Sequence, residues 1–163
     1  ADTYFKKINT ELIGISVDSL NSHLAWLYDI YLKTGLIVNF PIIADQNGVI
    51  ARKYGMISND VSSTETVRNI FIIDDKGIIR SIFVYPMNIG RYIPEILRTV
   101  TALQYSDQNN CMTPANWSPG NPMIVPPPKT FNALRERNES INKNRNGMCW
   151  YLSFKNPETK KLE

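Results

Sequence analysis

The spacing of hydrophobic positions switches between two periods along the first hundred residues, and the switches mark the elements. Residues 1–8 (ADTYFKKI) place Tyr4, Phe5 and Ile8 at helical spacing and read as the last turns of a helix. Residues 11–19 (ELIGISVDS) form an apolar run closed by Asp18 and Ser19, the pattern of a buried parallel strand. Ser19 is placed to cap the next helix, where Leu24, Trp26, Leu27, Ile30 and Tyr31 recur at three- and four-residue spacing. Gly35 supplies its stop. A second strand is predicted over residues 39–45 (NFPIIAD), then a short helix over 46–55 with Val49, Ile50 and Tyr54 facing in. The polar stretch 58–66 (SNDVSSTET) reads as a surface loop. VRNIFIID (67–74) and IIRSIFVY (78–85), joined by Asp75, Lys76 and Gly77, predict a hairpin. An amphipathic helix over 92–104 follows, with Ile96, Leu97, Val100 and Leu103 on one face.

The order strand, helix, strand, helix, hairpin, helix implies an α/β domain: a mixed sheet with helices on both faces, the order of thioredoxin-like folds. Composition then changes. Residues 1–104 carry ten basic and ten acidic side chains, so the whole net charge of +3 falls in 105–163. Seven of the ten prolines lie there as well. The expectation is a core domain over 1–104 and a separate loop-rich arm over 105–163. The arm holds enough apolar residues for a strand-helix-strand annex, too few to bury alone, so it is expected to dock on something. Its basic residues Arg135, Arg137, Lys143 and Arg145 alternate with Glu136 and Glu139 and read as a solvated helix face.

With 20% charged and 43% hydrophobic residues the chain is not a disordered one. Its charge is too small to argue for a nucleic-acid partner, and no run reaches the roughly 20 apolar residues of a membrane span. Two cysteines, Cys111 and Cys149, are too few for a disulfide scaffold, so a reducing cytoplasm is the expected location.

Four blocks in order, GISVDSLNSHLAW (14–26), NFPIIAD (39–45), VRNIFIIDDKG (67–77) and YPMNIGRYIPEILR (85–98), resemble peroxiredoxins. The stretch with Thr113, Pro114, Trp117, Pro119 and Gly120 is similar to the start of that family's C-terminal arm. Thr113 stands where two-cysteine members place a resolving cysteine, which points to the one-cysteine class. The family's peroxidatic motif, a proline, a threonine or serine, and a cysteine, is not found in these residues. The chain is therefore expected to be the C-terminal three-quarters of a peroxiredoxin, with the nucleophile upstream.

The resemblance implies a role for Arg68. An unperturbed cysteine, with pKa near 8.5, is mostly protonated at neutral pH, and a fixed guanidinium beside it favours the thiolate. The family's arginine of that role opens the strand VRNIF. By the residues alone, Arg68 is an ordinary strand-end arginine in solvent. Arg91 is the second candidate, weighed evenly against a solvated arginine; a cation before a helix N-terminus sits badly with the dipole. Cys111 reads as a free thiol or as an unconventional resolving cysteine, and Cys149 as a buried small hydrophobe with a redox role left open.

His23, the one histidine of the chain, is expected to pack or hydrogen-bond, and no metal site is expected. Ser16 lacks a hydrolase elbow. The resemblance implies a thiol peroxidase that reduces hydrogen peroxide or alkyl hydroperoxides through a cysteine sulfenic acid. An external thiol would serve as reductant, no cofactor would be needed, and the arm would build a homodimer. The rival expectation is a catalytically inactive thioredoxin-fold fragment or interaction module.

Overall fold

Local signals set the ends of the elements. The computed structural model describes residues 2–57, 68–144 and 147–157, so the loop expected over 58–66 lies outside the described residues. The chain divides into two compact units, residues 1–92 and 93–163. The boundary expected at 104/105 falls inside a helix, α4 below, whose inner face belongs to the second unit's core.

In the first unit, α1 (Asp2–Lys7) buries Phe5, while Tyr4 points outward. The run expected as a nine-residue strand narrows to β1 (Gly14–Ser16), paired in parallel with β2 (Ile42–Ala44). Between them α2 (Leu20–Thr34) begins where Ser19 Oγ accepts the Ser22 N–H and ends at Gly35, whose φ of 70° only glycine adopts freely. The inward face expected for α2 is largely exposed: Leu24, Trp26 and Tyr31 face solvent, Leu27 and Ile30 are half-buried, and His23 is buried. Length explains this. Fifteen helical residues span roughly 22 Å, whereas three-residue strands run about 10 Å.

α3 (Val49–Lys53) buries Ala51; Val49 and Tyr54, expected inside, are exposed, and the Tyr54 ring instead meets the edge of Phe71. The hairpin forms as expected from β3 (Arg68–Ile73) and β4 (Ile79–Tyr85), in antiparallel register with Arg68 opposite Tyr85. The Asp74 carboxylate accepts the N–H groups of Lys76 and Ile78 and pairs with Arg80, closing the turn. Among the described residues the parallel pair and the hairpin are separate ladders, not one continuous mixed sheet.

The second unit opens with α4 (Ile93–Asn109), which buries Ile96, Val100 and Ala102. Ala102 packs with Cys111, Trp117 and Met123, and Tyr105 and Val125 flank them. The second unit thus has a small core to which Ala102 of α4 contributes; of the arm's apolar residues expected to need a docking surface, Met123 is buried there while Phe131, Trp150 and Tyr151 stay exposed. β5 (Met123–Ile124), α5 (Phe131–Asn144), β6 (Gly147–Cys149) and β7 (Leu152–Lys155) complete it, with strand order β5-β7-β6. A Cβ on Gly147 would stand 2.8 Å from Ser153, so β6 approaches β7 this closely only with glycine there. Arg137, expected on a solvated face, donates to the Pro126 carbonyl at 2.7 Å and so ties α5 to the segment after β5. Phe131, Met148 and Tyr151 remain exposed.

Candidate active site

β-Pairing brings the ends of the hairpin together, and the chain after it folds back on Arg68. Arg68 is the first residue of β3 and Tyr85 the last of β4; as cross-strand partners their side chains leave the same face. Residues 86–89 then fold back in a turn in which the Ile89 N–H donates to the Pro86 carbonyl at 3.0 Å. The carbonyl of Ile89 accepts from Arg68 Nη1 at 3.2 Å. One of the five guanidinium N–H groups is engaged by this contact, which fixes the side chain without neutralising it. Arg91 follows two residues beyond Ile89 and is exposed, so its Cα lies within about 7.6 Å of that anchor. The two arginines predicted from the sequence therefore belong to one end of the hairpin.

The cysteines lie in the second unit. Cys111 is free and buried, 4% exposed, among Ala102, Trp117 and Met123. Cys149 is free and half-buried, more open than the expected core position. Hydrogen bonding to Cys149, followed by its charge and by burial, pushes the Tyr151 hydroxyl above its usual pKa.

A second polar cluster joins β1 to α2. Ser16 Oγ donates to Asp18 Oδ2 at 2.7 Å and lies 2.6 Å from His23 Nε2. The hydroxyl has one proton, so Nε2 is the donor in that contact, and among the described residues the buried Nδ1 has no hydrogen-bond partner. A hydrolase relay needs the carboxylate on Nδ1 and the histidine as base toward serine; here the carboxylate holds the serine instead. The cluster fixes the strand end to the helix, which is the hydrogen-bonding role expected for His23.

Two groups escaped the sequence reading. The Ile89 carbonyl is backbone and has no residue signature. Arg98 had one, the Glu95-x-x-Arg98 spacing: its Nε and Nη2 grip both oxygens of Glu95 at 2.6 and 2.7 Å, and Nη1 donates to the Trp117 carbonyl at 3.1 Å. Those bonds come first in holding the Glu95 carboxyl below its usual range; burial opposes them, and the Arg98 charge and Thr99 assist. The Trp117 indole N–H donates to the Asn121 carbonyl. An open cleft of about 790 Å³ lies beyond, lined by Pro114, Trp117, Asn121, Gly147, Phe154 and Lys155 among others. Among the described residues Lys155 is the one ionisable group of its lining, which therefore shows no paired acid and base there.

Among the described residues no helix is long and apolar enough to cross a membrane, and no three His, Cys, Asp or Glu side chains gather to hold a metal ion.

The sequence matches the AhpC/TSA family over residues 1–82 and the C-terminal domain of 1-Cys peroxiredoxin over residues 102–140. It is 50% identical over 155 residues to Peroxiredoxin 2 of Caldanaerobacter subterraneus subsp. tengcongensis, covering 94% of this chain and 69% of that one. Against the peroxiredoxin of Aquifex aeolicus it is 44% identical, covering 93% and 71%. Among solved structures, a yeast mitochondrial 1-Cys peroxiredoxin superposes with a TM-score of 0.76 at 34% identity, covering 94% of this chain and 74% of that one. A cysteine-to-serine mutant of peroxiredoxin 6 of Arenicola marina does so with 0.77 at 30%, covering 98% and 75%. These likenesses carry the thioredoxin-like α/β fold and thiol-peroxidase chemistry, and with them the chain belongs to the peroxiredoxins, in the one-cysteine class.

Proposed function

We propose that Arg68, assisted by Arg91, is the electrostatic half of a peroxide-reducing site whose cysteine nucleophile comes from outside these 163 residues. The observation that carries this reading is Arg68, the family-matched residue, held by the Ile89 carbonyl at 3.2 Å. A guanidinium anchored at one corner keeps donors for a thiolate and for the charge that develops on a departing oxygen. The thiolate attacks one oxygen of hydrogen peroxide or an alkyl hydroperoxide, and the O–O bond breaks. The sulfur becomes a sulfenic acid, the other oxygen leaves and takes a proton as water or alcohol, and an external thiol returns the sulfur to its reduced state.

The arm over 105–163 is read as the dimerisation annex of a cytoplasmic homodimer. Its exposed Phe131, Met148, Trp150 and Tyr151 support a partner surface. The inactive-module reading keeps two observations in its favour. Buried Cys111 is shielded from solvent, and neither cysteine follows the family's peroxidatic pattern.

Stopped-flow mixing of the 163-residue chain with hydrogen peroxide tests where the nucleophile lies. Oxidation is expected at the free-thiol background. A rapid phase abolished by alkylating Cys149 or Cys111 would place the nucleophile inside the chain and overturn the assignment.

A further inference from the structure

The cleft of the second unit holds a cation with no counter-ion. Lys155, the last residue of β7, is half-buried, and among the described residues no carboxylate shares the cleft with it and its side chain has no hydrogen-bond or ion-pair partner. A lysine in open water needs no such partner; one drawn partway into a cavity gives up hydration and favours an anion there. The loop from Pro114 to Pro122, which lines the cleft, is fixed from behind. Trp117, 1% exposed, donates its indole N–H to the Asn121 carbonyl at 2.9 Å, its carbonyl accepts from Arg98, and the Asn121 N–H donates to the Ser118 carbonyl. The backbone is thus committed, while the side-chain amides of Asn116, Asn121 and Asn156 line the cleft without a partner among the described residues. The volume of about 790 Å³ is that of a small-molecule site, and preformed walls of this kind are what such sites have.

We propose that this cleft binds a small organic monocarboxylate, its charge on the Lys155 ammonium and the asparagine amides and its apolar body against Pro114, Pro122 and Phe154. A single cation suits a single negative charge, whereas a phosphate dianion is met by clustered or forked donors. A simple hydroperoxide is uncharged at neutral pH and makes no use of Lys155, so the ligand is not the peroxide. The proposal stands apart from the peroxidase reading, since nothing in it requires a thiolate.

The test titrates the nitrogen-labelled 163-residue chain with phenylpropionate and, separately, with its primary amide, which has nearly the same shape and no charge. NMR follows the Trp117 indole N–H, whose bond to Asn121 lies in the wall of the cleft. A saturable shift is expected, with the acid bound about tenfold more tightly than the amide, the size of one hydrogen bond to a charged group. Lys155→Gln should bring the acid down to the affinity of the amide and leave the amide's own affinity unchanged. Asn121→Ala keeps the carbonyl that holds Trp117 and should weaken both ligands about threefold. Circular dichroism of each variant checks that the fold is kept, and the comparison of acid with amide in the wild type needs no variant at all. Equal affinity for the two in the wild type, a preference for the acid that survives Lys155→Gln, an acid affinity unaltered in Asn121→Ala, or no saturable shift at the Trp117 indole would each overturn the proposal.

Discussion

Arg68 in the first unit and Arg98 in the second are both held by a backbone carbonyl, yet their charges are partnered differently. Arg98 spends its fork on the two oxygens of Glu95 and its remaining nitrogen on the Trp117 carbonyl. Its charge is matched, and it fastens α4 to the loop that buries Trp117. Among the described residues Arg68 has one such tie, to Ile89, at an end of the hairpin. A guanidinium with all three nitrogens engaged, two of them on one carboxylate, is a clamp; among the described residues Arg68 engages a single nitrogen. The same contrast separates the units. The second closes on a small core around Trp117 and Met123, 1% and 0% exposed, while the first leaves much of α2 and the site turn open.

Removing the core of the clamped unit should give the largest effect. Trp117→Ala takes away the indole, its bond to Asn121 and its contact with Tyr105. A loss of about 3–5 kcal/mol is expected, enough to unfold so small a core. Loss of the Trp117 fluorescence contribution rules out emission as the probe, so denaturant unfolding should be followed by circular dichroism. A change below 1 kcal/mol, on the order of a surface substitution, would deny that this core organises the unit.

Arg68→Ala sharpens the comparison from the other side. With the nucleophile present, the second-order rate with peroxide should fall roughly 10²–10³-fold, with stability altered by about 1 kcal/mol or less. Rate and thermal midpoint measured on the same preparation decide it. Equal rates in mutant and wild type would remove Arg68 from the site.

Arg98→Ala should reverse that pattern. Stability is expected to drop by about 1–2 kcal/mol, since hydrogen bonds to charged groups are lost but both partners are partly exposed. A larger loss of rate than of stability would make Arg98 part of the site and erase the distinction.

The smallest effect concerns acid. Glu95 is held below its usual carboxyl value of 4.5 by Arg98 in the folded chain. Its contribution is therefore present above that value and lost as pH falls through the lower folded-state pKa. Glu95→Gln should flatten the acid limb of the stability curve by under about 1 kcal/mol while leaving its slope near neutral pH unchanged. An acid limb as steep in Glu95→Gln as in wild type would show that the pair contributes nothing through charge.

Local chemistry was legible because it acts over a few residues. Ser19 and Gly35 cap α2, Asp75, Lys76 and Gly77 make the hairpin turn, and the β-branched runs on either side of it pair as expected. The Arg68 position also followed from sequence, but only through its resemblance to a family block. A hydrophobic stripe, by contrast, says which face a helix would bury and not whether anything lies against it. Leu24, Trp26 and Tyr31 have the right spacing and remain exposed, because strands three residues long cannot cover the helix between them.

Backbone partners were beyond the sequence for a different reason. Every residue but proline offers the same N–H and C=O, so nothing in NIGR marks Ile89 as the acceptor for Arg68, or Pro126 as the acceptor for Arg137. The sequence by itself determined the caps, the turns, the hairpin register's direction and the supply of cationic residues. Tertiary structure decided that Arg98 is gripped by a carboxylate and that Arg68, among the described residues, is held by one carbonyl, because that depends on what the folded chain sets within about 3 Å of each guanidinium.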